Sequence, residues 1–169
     1  MPFYVKESNF LPELAGIQSA LIVPCRFCPA VSLAVKEKKP YLQPFRRLLR
    51  TEAFESFVKA IKQRLEAEGI RTAVFDSKLP HQLVACMWTS RRRRELARRA
   101  EAFDAALVLG CNATTETVRN AMGSNGCRII QGMDTEGIVN LLPKVSFPFD
   151  VTLEKQGITP VRMQENAGQ

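Results

Sequence analysis

Ala20-Leu21-Ile22-Val23-Pro24-Cys25-Arg26-Phe27-Cys28-Pro29 is the stretch on which the reading of the whole chain turns. An apolar run this short, bounded by turn residues, suits a parallel strand covered on both faces. A proline directly after the second cysteine fits the first turn of a helix. The two thiols of this C-x-x-C are therefore expected on a strand-to-helix loop, at the carboxyl end of a parallel strand. Open α/β sheets bind their ligands at that edge.

The pattern returns downstream. Asp104-Ala105-Ala106-Leu107-Val108-Leu109-Gly110-Cys111 is again a buried-strand pattern ending in cysteine, and Asn112 to Val118 follows as a helix start. Between the two lies Cys86, just ahead of a further helix that Ser90 is placed to cap. Three separate segments thus deliver cysteine toward one edge of one sheet. In the strand order 2-1-3, Cys25 and Cys111 flank the switch point, and neighbouring strands stand only ~4.8 Å apart.

The remaining elements fill in an alternation of strands and helices. A helix from Ala30 to Lys38 ends at Pro40. Glu52 to Glu68 forms a long helix capped by Thr51, carrying the apolar stripe Phe54, Phe57, Val58, Ile61 and Leu65 and stopped by Gly69. Ile70–Asp76 is the second strand, and Cys127–Gln131 the fourth, after a turn at Gly123-Ser124-Asn125-Gly126. This places Cys127 at the amino end of its strand, opposite the other four cysteines, in a structural role. The pattern predicts one domain: a mostly parallel, Rossmann-like three-layer α/β sheet with a short C-terminal β extension. Residues 1–19 read as an N-terminal extension packing through Phe3, Tyr4, Phe10 and Leu14, 20–131 as the core, and 132–169 as a β-rich tail. In that tail Val151 to Val161 reads as two short strands about a turn at Gly157, with Pro160 confining the second to an edge.

At 169 residues with 46% hydrophobic composition, the chain can bury a sizeable core without disulfide staples. No apolar run approaches the ~20 residues of a membrane span, and the first residues lack the pattern of a signal peptide. The cytoplasm is the expected compartment. There, cysteine spacings favour metals or redox chemistry, and five cysteines cannot all pair within one chain.

The formal charge of +7 gathers in Arg91, Arg92, Arg93, Arg94, Arg98 and Arg99, and in Arg46, Arg47 and Arg50. The helix bearing the first group reads either as a solvated face, with Leu96, Ala97, Ala100 and Phe103 turned inward, or as a docking surface for an acidic protein or anionic cofactor. Arg91, Arg92, Arg93, Arg94 and Arg98 are its candidate contacts. No nucleic-acid motif or interleaved aromatic array accompanies the charge, so nucleic acid is disfavoured as a partner.

Cys25, Cys28, Cys86 and Cys111 supply enough thiolates for a tetrahedral zinc or an iron–sulfur cluster, and the spacing does not choose between the two. Helix amino termini after Cys28 and Cys111 would favour a negatively charged thiolate centre. A metal-free redox pair and inert buried cysteines are the competing readings. His81, the single histidine, follows Pro80 in a loop and reads as solvated. Asp76 could meet a ribose hydroxyl, yet no G-x-G-x-x-G follows the first strand, and there is no P-loop.

Strand–C-x-x-C–helix, a lone middle cysteine, then strand–Cys111 running to Thr117-Val118 resembles the small cysteine-rich domain associated with methylenetetrahydrofolate reductase, over residues 20–130. That domain occurs as a C-terminal extension or as a separate partner subunit. Ser32 stands where the family has a third cysteine, Asn112 and Thr114 replace two glycines, and Gly132 to Gly137 replaces a later cysteine segment. The resemblance implies one metal centre and a redox partner in one-carbon metabolism. The expected function is therefore that of a zinc- or iron–sulfur-binding accessory or electron-transfer protein, non-catalytic and bound to a protein redox partner. The alternative is a thiol-based redox or sulfur-transfer enzyme using Cys25 or Cys28 as nucleophile.

Overall fold

A computed structural model describes residues 2–42, 51–76, 82–123, 126–147 and 150–161. His81, the turn residues Ser124 and Asn125, and the basic segment with Arg46, Arg47 and Arg50 lie outside them.

The chain folds as a mixed α/β structure with two separate sheets. Its elements are β1 (Phe3–Glu7), β2 (Ser19–Pro24), α1 (Cys28–Glu37), α2 (Glu52–Ala67), β3 (Arg71–Val74), α3 (Ser90–Ala100), β4 (Ala105–Leu109), α4 (Asn112–Met122), β5 (Arg128–Gln131), β6 (Met133–Ser146) and β7 (Asp150–Pro160). Short 3-10 turns lie at Leu11–Leu14 and Ala85–Met87. Four strands form a parallel sheet in the order β3-β2-β4-β5. The first and third parallel strands are thus neighbours, as the 2-1-3 order required. Every residue of β2 and of β4 is buried, which is why both read as unbroken apolar runs and not as alternating ones.

Successive residues of these two strands face different clusters. Ala20, Ile22, Ala105, Leu107 and Leu109 pack with Phe54, Val58, Ile61 and Leu65 of α2 and with Ala30 and Leu33 of α1. Leu21, Val23, Ala106 and Val108 pack instead with Leu96 and Ala100 of α3 and Val118 and Met122 of α4. The period of two in the strands thus sorts the apolar side chains between the helices.

The helix ends differ from the sequence reading in ways that bear on the site. α1 begins at Cys28 itself, with Pro29 in its first turn, and α4 begins at Asn112, leaving Cys111 as its N-cap. Thr51 occupies the N-cap of α2, but its hydroxyl donates to the Tyr41 carbonyl (2.9 Å) and caps nothing. Thr89, not Ser90, caps α3, its hydroxyl accepting from the Arg92 amide at 3.4 Å.

Both termini of the described chain depart from expectation. Phe10 and Leu14 are buried as predicted, but Phe3–Glu7 is a strand, paired antiparallel with β6. The tail is no short extension either: β1-β6-β7 is a second, antiparallel sheet. Gly157 sits within a continuous β7 opposite Asn140, next to a bulge at Asn140/Leu141. The bulge, rather than a turn at the glycine, absorbs the irregularity. Pro160 closes an edge strand, where its missing N–H costs the sheet nothing. Among the described residues no helix is long and apolar enough to cross a membrane.

Candidate functional site

Because β2 and β4 are adjacent and parallel, with Pro24 opposite Leu109, their carboxyl ends place the two cysteine loops side by side. The Cys25 amide donates to the Leu109 carbonyl (2.9 Å), extending the ladder one residue into the loop. The Arg26 amide donates to Leu83 O (2.8 Å), and the Ala85 amide donates to the Cys25 sulfur (3.4 Å), so the Cys86 segment is tied to the same loop. On the other side the Phe3 amide, at the start of β1, donates to the Cys28 sulfur at 3.4 Å.

Arg26 fixes the loop from below. Its guanidinium, 3% exposed, pairs with Glu55 of α2 at 2.6 Å and with Asp76 after β3 at 2.9 Å. Asp76, considered for a ribose hydroxyl, is thereby engaged with Arg26. Gly110 sets the second loop. A Cβ there would stand 2.6 Å from the Thr114 Cβ, so only glycine lets the first turn of α4 close over Cys111.

Cys25, Cys28 and Cys111 are all buried. The neighbouring Cys28 thiol, then the Thr114 and Ala113 amides of the α4 amino terminus, hold the Cys111 thiol down at about 6. Cys111 beside it, and then burial, push the Cys28 thiol well up. Burial raises Cys25, against the Ala85 amide that favours its thiolate. Cys86 differs: it is exposed on the 3-10 turn, and burial of its sulfur and the charge of Cys111 raise its thiol. All four thiols therefore belong to one electrostatic neighbourhood centred on Cys111. Among the described residues, however, no three Cys, His, Asp or Glu side chains stand together as a ready metal-binding group.

The donor chemistry on offer is that of sulfur. It comprises three buried sulfurs with a fourth near them, backbone N–H groups aimed at two of them, and two helix amino termini beside Cys28 and Cys111. Cys127 stands apart, half-buried against the α3–α4 cluster, its thiol pushed up to about 11 by burial and then by Asp104. Ser32 is also outside the set, its hydroxyl accepting from the Val5 amide and donating to the Cys28 carbonyl, both at 2.9 Å.

Two residues were missed by the sequence reading. Tyr41 packs against the cluster holding Cys28 and Cys111, and burial, then the charges of Cys28 and Cys25, raise its phenol. Phe3 supplies its amide only because β1 pairs with β6 far along the chain, and no local pattern announces that pairing. Of the arginines, Arg92 is corrected. It is buried, its guanidinium 3.8 Å from the Phe75 ring centroid and 5.6 Å from that of Trp88, and it pairs with Glu95 at 2.9 Å. The planar cation stacks inward on two aromatic faces and donates to the Asp76 carbonyl, though its buried Nε has no hydrogen-bond partner. Arg93 is half-turned, donating to the Trp88 carbonyl (3.1 Å). Arg91, Arg94 and Arg98 remain on the surface and line an open cleft of about 470 Å³. Compared with family models, with curated proteins and with solved structures, the chain matches none.

Proposed function

We propose that this chain is an accessory protein that holds a thiolate-ligated metal centre, an iron–sulfur cluster or a zinc ion, and serves a redox enzyme. The observation that carries the reading is the convergence of Cys25, Cys28 and Cys111 where β2 and β4 end side by side, with the Cys86 turn tied to Cys25 through the Ala85 amide. Cys25, Cys28, Cys86 and Cys111 would hold the group, Cys111 as the thiolate already favoured and the others after losing their protons. When bound, an iron–sulfur centre would supply one-electron transfer, whereas zinc would tie the three loops together. The resemblance to the cysteine-rich domain of methylenetetrahydrofolate reductase suggests one-carbon metabolism as the setting. Arg91, Arg94 and Arg98 offer the basic face for an acidic partner or an anionic cofactor.

Anaerobic purification with metal and acid-labile sulfide analysis tests the proposal. Iron with sulfide, or zinc alone, bound in fixed stoichiometry supports it. A metal-free protein that takes up neither iron nor zinc refutes it.

The second reading, a thiol redox or sulfur-transfer enzyme, has a specific observation in its favour, the lowered Cys111 thiol. It moves the nucleophile from Cys25 or Cys28, both held protonated, to Cys111. One rapidly alkylated thiol in metal-free native protein, lost in Cys111→Ser, would favour this reading.

A further inference from the structure

β6 and β7 outgrow the sheet to which they belong. β1 pairs with β6 only as far as Ile138, and the last link is the Val139 amide donating to Pro2 O at 3.1 Å. The β6–β7 pairing runs on to Ser146 opposite Asp150. Beyond β1 the two strands therefore continue as a ribbon, braced by Tyr41 and Leu42 at Val151, with the Tyr41 amide donating to the Val151 carbonyl at 2.7 Å. Phe3, where β1 starts, bonds the Cys28 sulfur, and Tyr41 packs on the cluster containing Cys28 and Cys111.

The ribbon is dressed for contact. Leu142 is 49%, Val145 69% and Phe147 94% exposed. Val145 lies opposite Val151 and two residues from the Pro143–Leu153 pair on one face, while Leu142, opposite Glu154, lies on the other. A two-stranded ribbon is marginal in water by itself, and clustered exposed apolar side chains mark interaction surfaces. Beside it opens a cavity of about 510 Å³, lined by Lys144 and Lys155 of the ribbon and by Lys36, Lys38 and Lys39 at the end of α1. Glu154 pairs with Lys144 at 2.6 Å and Glu37 with Lys39 at 2.8 Å. Among the described residues Lys36 and Lys38 have no carboxylate partner, so positive charge is in excess along this flank.

We propose that the β6–β7 ribbon is a docking arm for a partner protein, which covers Val145 and Phe147 with an apolar patch and meets the lysine flank with carboxylates. A second copy of this chain fits badly, because it would bring the same lysines to the same place. A nucleic acid would satisfy the lysines but leave Val145 and Phe147 without apolar cover. The arm is separate from the Arg91, Arg94 and Arg98 face and does not depend on what the thiols bind.

A photo-cross-linking phenylalanine analogue in place of Phe147, in the full-length protein expressed in its source cells, is the test. We expect an adduct with one protein, mapped by mass spectrometry to an apolar segment flanked by aspartate or glutamate. Charge reversal in Lys36→Glu with Lys155→Glu should cut its yield about tenfold, the equivalent of about 1.4 kcal/mol of docking energy. Metal content is measured on the same charge-reversal variant and should not change with it, so failure of the metal reading and failure of the arm are told apart. An adduct with a second copy, an adduct lost to nuclease, one indifferent to charge reversal, or no adduct at all would overturn the proposal. Circular dichroism of each variant guards against misfolding, and the Phe147 side chain is exposed enough for the analogue to be tolerated.

Discussion

Gly110 is the residue on which the site depends most narrowly. Its missing side chain lets Thr114 approach, and Thr114 brings both its hydroxyl (3.8 Å) and its amide to the Cys111 sulfur. Gly110→Ala forces a methyl group into that contact, with a cost of about 1–3 kcal/mol typical of overpacking. Urea unfolding should show that loss, and Thr114→Gly added to it should restore part of it by clearing the clashing atoms. Cys111 itself sets an expectation for ionisation. Its thiol is held at about 6 and not at the ordinary 9.0, so metal-free protein should carry at neutral pH a thiolate absorption that Cys111→Ser lacks. A metal-free chain in which that substitution removes no thiolate at neutral pH would contradict the lowered Cys111 thiol.

At the scale of elements, α3 has two faces of different kinds. Arg92 stacks under Phe75 and Trp88, so Arg92→Ala should cost about 1–3 kcal/mol through the lost stacking and the space it leaves. Arg91→Gln with Arg94→Gln and Arg98→Gln should leave the melting temperature unchanged and weaken only salt-sensitive association. A drop in melting temperature for the triple variant would show that the exposed arginines are structural. The amino edge of the parallel sheet supplies a pH dependence. Asp104 accepts from the Ser19 hydroxyl (2.9 Å) and from the Ser19 and Gln18 amides (2.8 and 3.1 Å), which hold its carboxyl below the ordinary 3.8. A carboxyl lowered by folding stabilises the fold above its unfolded pKa, and that contribution is lost as pH falls through the folded one. Asp104→Asn should therefore be less stable than wild type at neutral pH, and the difference should shrink below pH 4.

The same elements show why some of this was legible beforehand. β2, β4 and their cysteines carry local signals: fully apolar runs, then turn chemistry, then a helix start. α2 announced itself by its stripe, with only Phe57 left half-exposed. β1 and β6 carry no such signal, because Phe3 meets Ile138 across nearly the whole chain, and the outward face of β6 is polar. Arg92 was misplaced for a related reason. A run of four arginines reads as surface, and only the tertiary placement of Phe75 and Trp88 turns one of them inward.

For the whole molecule, β2 and β4 bring Cys25 and Cys111 side by side, β1 of the second sheet reaches Cys28 through the Phe3 amide, and the β6–β7 ribbon is braced by Tyr41 and Leu42. On the proposed reading, this arrangement would shield a metal centre beside two basic surfaces, as a subunit docking onto a larger redox partner requires. Metal K-edge X-ray absorption on anaerobically purified protein tests that central claim most directly. The account predicts a shell of sulfur scatterers at about 2.3 Å, the usual metal–thiolate distance, that is lost in Cys111→Ser and in Cys25→Ser. A shell of nitrogen and oxygen alone, or a sulfur shell that survives both substitutions, would contradict it.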